Sequence, residues 1–210
     1  MSKSKFSLIL QLTASTLGLQ ACTVFPDSPP AMLYALEVPA ATSSTACALK
    51  FSLREVRLPG YLDRAEVVLS NQDNLVKVSA QQLWAAPLSK EMARLFAVGL
   101  SERLSGSRLL PYPLRQLEQP DHLLSLELVS FSSANDRVSV QYTLAAHELN
   151  QSSTAKLPKI TVPMKFNYSS QISDAPKTRT DGALMARRLG ESLGKALEYF
   201  SEELTRQVCR

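Results

Sequence analysis

Two histidines, three cysteines, one tryptophan and seven glycines are all that the 210-residue chain holds of the residue types behind most recognisable catalytic and metal-binding motifs. So few glycines, with 12 prolines, exclude collagen-like or low-complexity material, and 45% hydrophobic residues exclude a wholly disordered chain. The length suits one domain with a real core, not two large ones. Excess charge is also scarce. The formal +4 falls to +2 once Lys3 and Lys5 are set aside as part of a leader, too little for a nucleic-acid-binding face.

The chemistry that is missing narrows the function. His122 and His147 sit at the edges of expected strands with no second ligand at short spacing. A zinc site needs three or four ligands, so neither metal nor cofactor is expected. No Gly-x-Ser-x-Gly elbow presents a serine for acyl transfer. The run Gly190-Glu191-Ser192-Leu193-Gly194-Lys195-Ala196 resembles a phosphate loop and fails as one. It has three residues where four must separate the glycines, and Ala196 where Ser or Thr must follow the lysine. Gly190 and Gly194 are instead expected to let a helix approach a neighbouring backbone, and Arg187-Arg188 to be a solvated helix face. The expectation is a protein that is not an enzyme.

What is present begins with residues 1–22. Lys3 and Lys5 precede a mostly apolar stretch from Phe6 to Leu19, which runs into Leu19-Gln20-Ala21-Cys22. This is the build of an export signal, and its ending resembles the lipobox of bacterial lipoproteins. Residues 1–21 are read as a signal peptide cut between Ala21 and Cys22, with the Cys22 thiol acylated because a thioether to diacylglycerol needs sulfur. Several acyl chains, each contributing about 0.8 kcal/mol per buried CH₂, anchor stably where one does not. Beyond them no run of about 18 apolar residues suggests a membrane span. By resemblance to enterobacterial sorting rules, Thr23 in place of Asp favours passage to the outer membrane. Residues 22–30, with Pro26, Pro29 and Pro30, form an extended tether with a reach of roughly 25 Å, which lifts the remaining domain clear of the headgroups. Cys47 and Cys209 are the remaining thiols, open either to pairing in an oxidising compartment or to remaining free.

Residues 31–210 read as one globular domain. Strands are expected at Met32–Val38, Cys47–Leu58, Ala65–Ser70, Leu75–Ser79, Arg108–Leu114, His122–Ser132, Arg137–His147 and Ile160–Tyr168. Asn71-Gln72-Asp73-Asn74 and Ser133-Ala134-Asn135-Asp136 join hairpins. One helix begins at Ser89 as its cap and ends before Gly106. A second runs from Thr180 to Val208 with Leu189, Leu193, Leu197, Phe200, Leu204 and Val208 on one face and glycines at 182, 190 and 194 as places to bend or shorten. The fold class is α+β, a mainly antiparallel sheet of hairpin-linked strands with two main helices packed on it.

Tyr61-Leu62-Asp63-Arg64, a hairpin, then Leu83-Trp84-Ala85-Ala86-Pro87-Leu88 before the first helix follow one another in an order that resembles the PqiC-like family of ABC-type transport auxiliary lipoproteins. Members often read Arg-Trp-Ala-acid-Pro-Leu; here Leu83 replaces the arginine and Ala86 the acid. The resemblance implies a lipid-anchored accessory of intermembrane lipid transport at the outer membrane, working with an MCE-domain protein and an integral membrane permease, with several copies able to form a ring. Tyr61, Leu62, Trp84, Pro87 and Leu88 are the candidate partner-binding residues. For Trp84 core packing beside a helix start competes with a partner surface. The alternative reading is a structural or assembly lipoprotein of the cell envelope.

Overall fold

Two long strands with alternating burial set the central layer of the computed structural model, which describes residues 30–110, 119–134, 137–149, 163–171 and 182–209. In β8 (His122–Ala134) Leu124, Leu126 and Leu128 are buried, and in β9 (Arg137–Glu148) Val138, Val140, Tyr142, Leu144 and Ala146. The residues between them point to the other face, as the pleat requires. Ala31–Arg210 forms one compact unit. The expected signal peptide, Ala21, Cys22, the tether before Pro30, the Pro111 and Pro113 corner and positions 135–136 of the second hairpin lie outside the described residues, as do 160–162 of the last expected strand.

The main sheet has five strands in the order β10-β9-β8-β3-β7, where β3 is Lys50–Arg57, β7 Arg108–Leu110 and β10 Met164–Gln171. β8–β9 and β9–β10 are antiparallel, whereas β3 pairs in parallel with both β7 and β8. A second sheet, β1-β5-β4, joins Met32–Tyr34 in parallel to β5 (Leu75–Trp84), itself antiparallel to β4 (Glu66–Gln72). A parallel pair of β2 (Thr45–Ala46) and β6 (Leu104–Ser105) completes the strands among the described residues. The fold is α+β as expected, and the sheets are not all antiparallel. The β4–β5 hairpin turns on Asp73 and Asn74, both with positive φ (52° and 62°). Two such residues are what a two-residue I′ connection needs.

Helix α1 (Leu88–Arg103) starts one residue before the expected Ser89 cap. Pro87 stands at the N-cap with no side-chain cap bond, and the backbone N–H groups of Lys90 and Glu91 reach the Pro87 carbonyl. The helix ends at Arg103, before Gly106 as expected, and the residue at its C-cap is Leu104, not Gly106. The φ of 85° at Gly106 serves the turn closed by the Ser107 N–H on the Leu104 carbonyl. Helix α2 (Gly182–Gln207) runs unbroken through Gly190 and Gly194, so neither glycine shortens it. Leu189, Leu193, Leu197, Phe200 and Leu204 are buried along it, and Phe200 meets Phe96 of α1 edge-on at 6.5 Å between ring centroids.

The glycines of α2 receive another part of the chain. A Cβ on Gly190 would lie 1.8 Å from the Glu37 carbonyl oxygen, and one on Gly194 2.9 Å from Pro39 Cδ. Residues 35–39 therefore pass across the helix on a small-residue track. The first expected strand accordingly shortens: only Met32–Tyr34 pairs with β5. Cys47 and Cys209 are disulfide-bonded, with Cα atoms 5.4 Å apart.

Candidate functional site

The five candidate partner-binding residues occupy two neighbouring structural roles. Pro59 starts a tight turn in which the Leu62 and Asp63 N–H groups donate to its carbonyl, and this swings Leu62 into the core, 3% exposed. Tyr61 is half-buried. Its hydroxyl donates to the Phe131 carbonyl and accepts from the Phe131 N–H, both at 3.0 Å. The Asn71 side-chain amide donates to the same carbonyl, and Ser132 Oγ donates back to the Asn71 carbonyl. These bonds pin the β3–β4 turn and the β4–β5 hairpin just beyond a bulge in β8, where Val129 is the extra residue.

Trp84 ends β5, half-buried against the core, opposite Tyr34 of β1. Its N–H donates to the Ala65 carbonyl, and the next N–H, of Ala85, to the Tyr34 carbonyl. Pro87 is exposed and fixes the start of α1, which buries Leu88 to 1% exposure. The side chains of Leu62 and Leu88 thus face the interior, where apolar burial places them, and present nothing to a partner. Of the five, Pro87 is exposed and Tyr61 and Trp84 are partly so.

Beside Trp84 the domain carries a surface that the motifs did not indicate. Residues Tyr34, Val38 and Pro39 form one wall, and Ala183, Ala186 and Arg187 of α2 the other, of a mostly apolar groove of about 450 Å³. Its volume lies in the range of ligand clefts. Arg187 and Glu37 are exposed on its rim. Glu191, also on the rim, is held by Arg188 at 2.8 Å and accepts the Tyr168 hydroxyl at 3.3 Å. Arg188 also donates to the Gln171 carbonyl, so of the two arginines only Arg187 is a freely solvated one. The edge strand in front of the groove exposes Met32 (44%) and Leu33 (65%).

Buried polar groups elsewhere perform structural work. Tyr142 is fully buried, its hydroxyl 2.8 Å from Ser192 Oγ; Ser192 spends its own proton on the Leu189 carbonyl, so Tyr142 is the donor. Burial pushes the phenol well above its ordinary pKa and keeps it protonated. Arg103, 3% exposed, donates to the Gly99 and Pro39 carbonyls, and burial pulls its pKa below the usual arginine value against the fields of Glu198 and Glu102. Burial likewise lowers the pKa of His122, with Glu148 and Asp121 opposing the shift. His122 pairs with Glu148 and His147 with Leu123, which sets the two imidazoles on opposite faces of the sheet. No group of three metal-ligating side chains comes together among the described residues. No helix among them is long and apolar enough to cross a membrane.

The groove and buried Arg103 escaped the sequence because neither follows from periodicity. One signal was available: Gly182, Ala186, Gly190 and Gly194 recur every four residues, a stripe of small side chains on one helix face.

A family profile described as the ABC-type transport auxiliary lipoprotein component matches residues 34–174. No curated protein matches significantly. Among solved structures, that of an uncharacterised protein is similar over 85% of this chain and 99% of its own, with 17% identity and a TM-score of 0.58. A DUF330-family protein from Xanthomonas campestris is similar over 84% and 100% of the two chains, with 12% identity and a TM-score of 0.57. At such identities the likeness establishes the fold alone. The profile covers more than half of the sequence, including the Tyr61 turn, the Trp84–Leu88 segment and the whole of the central sheet. The chain belongs to the PqiC-like family of ABC-type transport auxiliary lipoproteins.

Proposed function

We propose that this transport auxiliary lipoprotein serves the movement of lipid between the two envelope membranes, and that it docks or positions the end of an MCE-protein conduit at the outer membrane. The observation that carries the reading is the family match across residues 34–174, in a chain that also has Leu19-Gln20-Ala21-Cys22 at its start. An acylated Cys22 ties the domain to the bilayer, with the compact unit from Ala31 onward facing the periplasm. Lipid tails cannot cross water unprotected, so a hydrophobic conduit requires a fixed seat at its far membrane. The domain supplies the seat, an integral permease at the inner membrane supplies the energy coupling, and neither task requires catalysis by this chain.

Pro87, with the exposed part of Trp84, offers an apolar corner for the conduit. Both are held rigidly, Trp84 by backbone bonds to two neighbouring segments and Pro87 by the first turn of α1. A rigid aromatic at a partner surface costs little ordering entropy on binding. The test is crosslinking in intact envelopes followed by purification of this lipoprotein and mass spectrometry. An MCE-domain protein should be recovered with it, and recovery should fall in a Pro87→Glu variant. Repeated purification without any MCE partner would sink the proposal.

A further inference from the structure

The first residues of the folded unit are among its most exposed apolar ones. Met32 and Leu33 stand 44% and 65% exposed on β1, the outer strand of the three-stranded sheet. Met32 shares a face with Tyr34, whose hydroxyl approaches the Met32 sulfur at 3.8 Å, and Tyr34 lines the groove against α2. Leu33 lies in register with half-buried Leu83 on the other face. An exposed apolar edge next to an apolar groove calls for an occupant.

We propose that this edge rests on a phospholipid surface, with Met32 and Leu33 entering the headgroup layer. The inference rests on the reading of Cys22 as acylated. The compact unit begins at Ala31, so Met32 and Leu33 follow the anchor by ten and eleven positions. The tether's reach of roughly 25 Å is a ceiling on the distance from the bilayer. Burial of two apolar side chains draws the domain below that ceiling, because each buried group adds to a partition already favoured by the acyl chains. No other part of the folded chain is so close in sequence to the anchor. The charges suit a zwitterionic surface: exposed Arg187 and Glu37 place one cation and one anion on the groove rim, and Glu191 is already matched by Arg188. An ammonium and a phosphodiester find a partner of opposite sign there.

The sole tryptophan reports on this edge, since Trp84 lies opposite Tyr34 in the β1–β5 pair. The full acylated chain is reconstituted into vesicles of phosphatidylethanolamine and phosphatidylcholine that carry a phospholipid doxyl-labelled high on its acyl chain. Flotation reads the anchor, and quenching of Trp84 fluorescence reads the edge. The expected result is flotation with quenching, loss of the quenching in Leu33→Asp and Met32→Ser, and no loss in Leu75→Asp at the tip of the β4–β5 hairpin. Circular dichroism of each variant should be unchanged, because all three positions are exposed.

A protein that floats without quenching overturns the proposal and leaves the anchor standing. Failure to float overturns the anchor reading instead. Quenching that requires anionic lipid would also count against a zwitterionic surface. Protection of Trp84 that grows with protein density on the vesicles would assign the edge to a second copy and overturn the lipid contact.

Discussion

At the scale of single residues, Gly190 is the most constrained position described. The atom a Cβ would strike, at 1.8 Å, is the backbone oxygen of Glu37, which cannot rotate away as a side-chain end can. Ala is favoured over Gly within a helix by about 1 kcal/mol, so propensity alone predicts that Gly190→Ala stabilises. Overpacking costs about 1–3 kcal/mol, and a rigid backbone contact belongs at its upper end. We therefore expect a net loss of about 2 kcal/mol on urea unfolding. Gly60→Ala is the control: nothing lies within 4 Å of a Cβ there, and stability should change little. Tyr61 sets a second test. Tyr61→Phe keeps the ring and removes the hydroxyl that both donates to and accepts from the Phe131 backbone. A loss of about 1 kcal/mol is expected, with faster hydrogen exchange at the Phe131 amide. A variant as stable as the parent would mean that water replaces the hydroxyl at no cost.

At the scale of elements, what was legible in the sequence follows the range of the interaction that forms each one. The β4–β5 hairpin was readable because its turn is a local event, Asp73 and Asn74 tolerating positive φ. Both helices were readable from apolar spacing. The N-cap of α1 was misplaced by two residues because Ser89 looks like a cap, whereas Pro87, unable to donate, stands ahead of the helix. The parallel pairs were not readable. Alternation along Lys50–Arg57 says that one face is buried, but the choice of β7 and β8 as neighbours depends on residues far along the chain. The site divides in the same way. Leu62 and Leu88, picked out by a motif, proved to be core residues, since a motif records which residues recur and not which way they point. The groove lay hidden in a spacing of four between Gly182, Ala186, Gly190 and Gly194, which periodicity reads as an ordinary helix and only the crossing segment 35–39 explains.

At the scale of the whole molecule, the disulfide decides how the domain comes apart. Cys47 precedes β3 and Cys209 follows the last turn of α2, so the closed loop spans 162 positions and contains the whole main sheet, β4 and β5 of the second sheet and both helices, with β1 and β2 outside it. In the chain-entropy account a ring of that size removes so much freedom from the unfolded chain that the native state gains up to about 5 kcal/mol. The same account predicts a second effect that a merely local contact would not give. Opening the ring lets the unfolded chain expand and expose more surface, so the urea m-value should rise as the midpoint falls. A Cys47→Ala, Cys209→Ala chain, or the parent under a strong reductant, should therefore lose about 2–5 kcal/mol and unfold over a narrower span of urea. Loss of stability with an unchanged m-value would instead place the effect in native packing around Cys47, which is only 4% exposed. The distinction matters for when the domain becomes stable. If the ring acts through the unfolded chain, oxidation of Cys47 and Cys209 itself completes the stability of the domain, and the reduced chain stays easier to unfold.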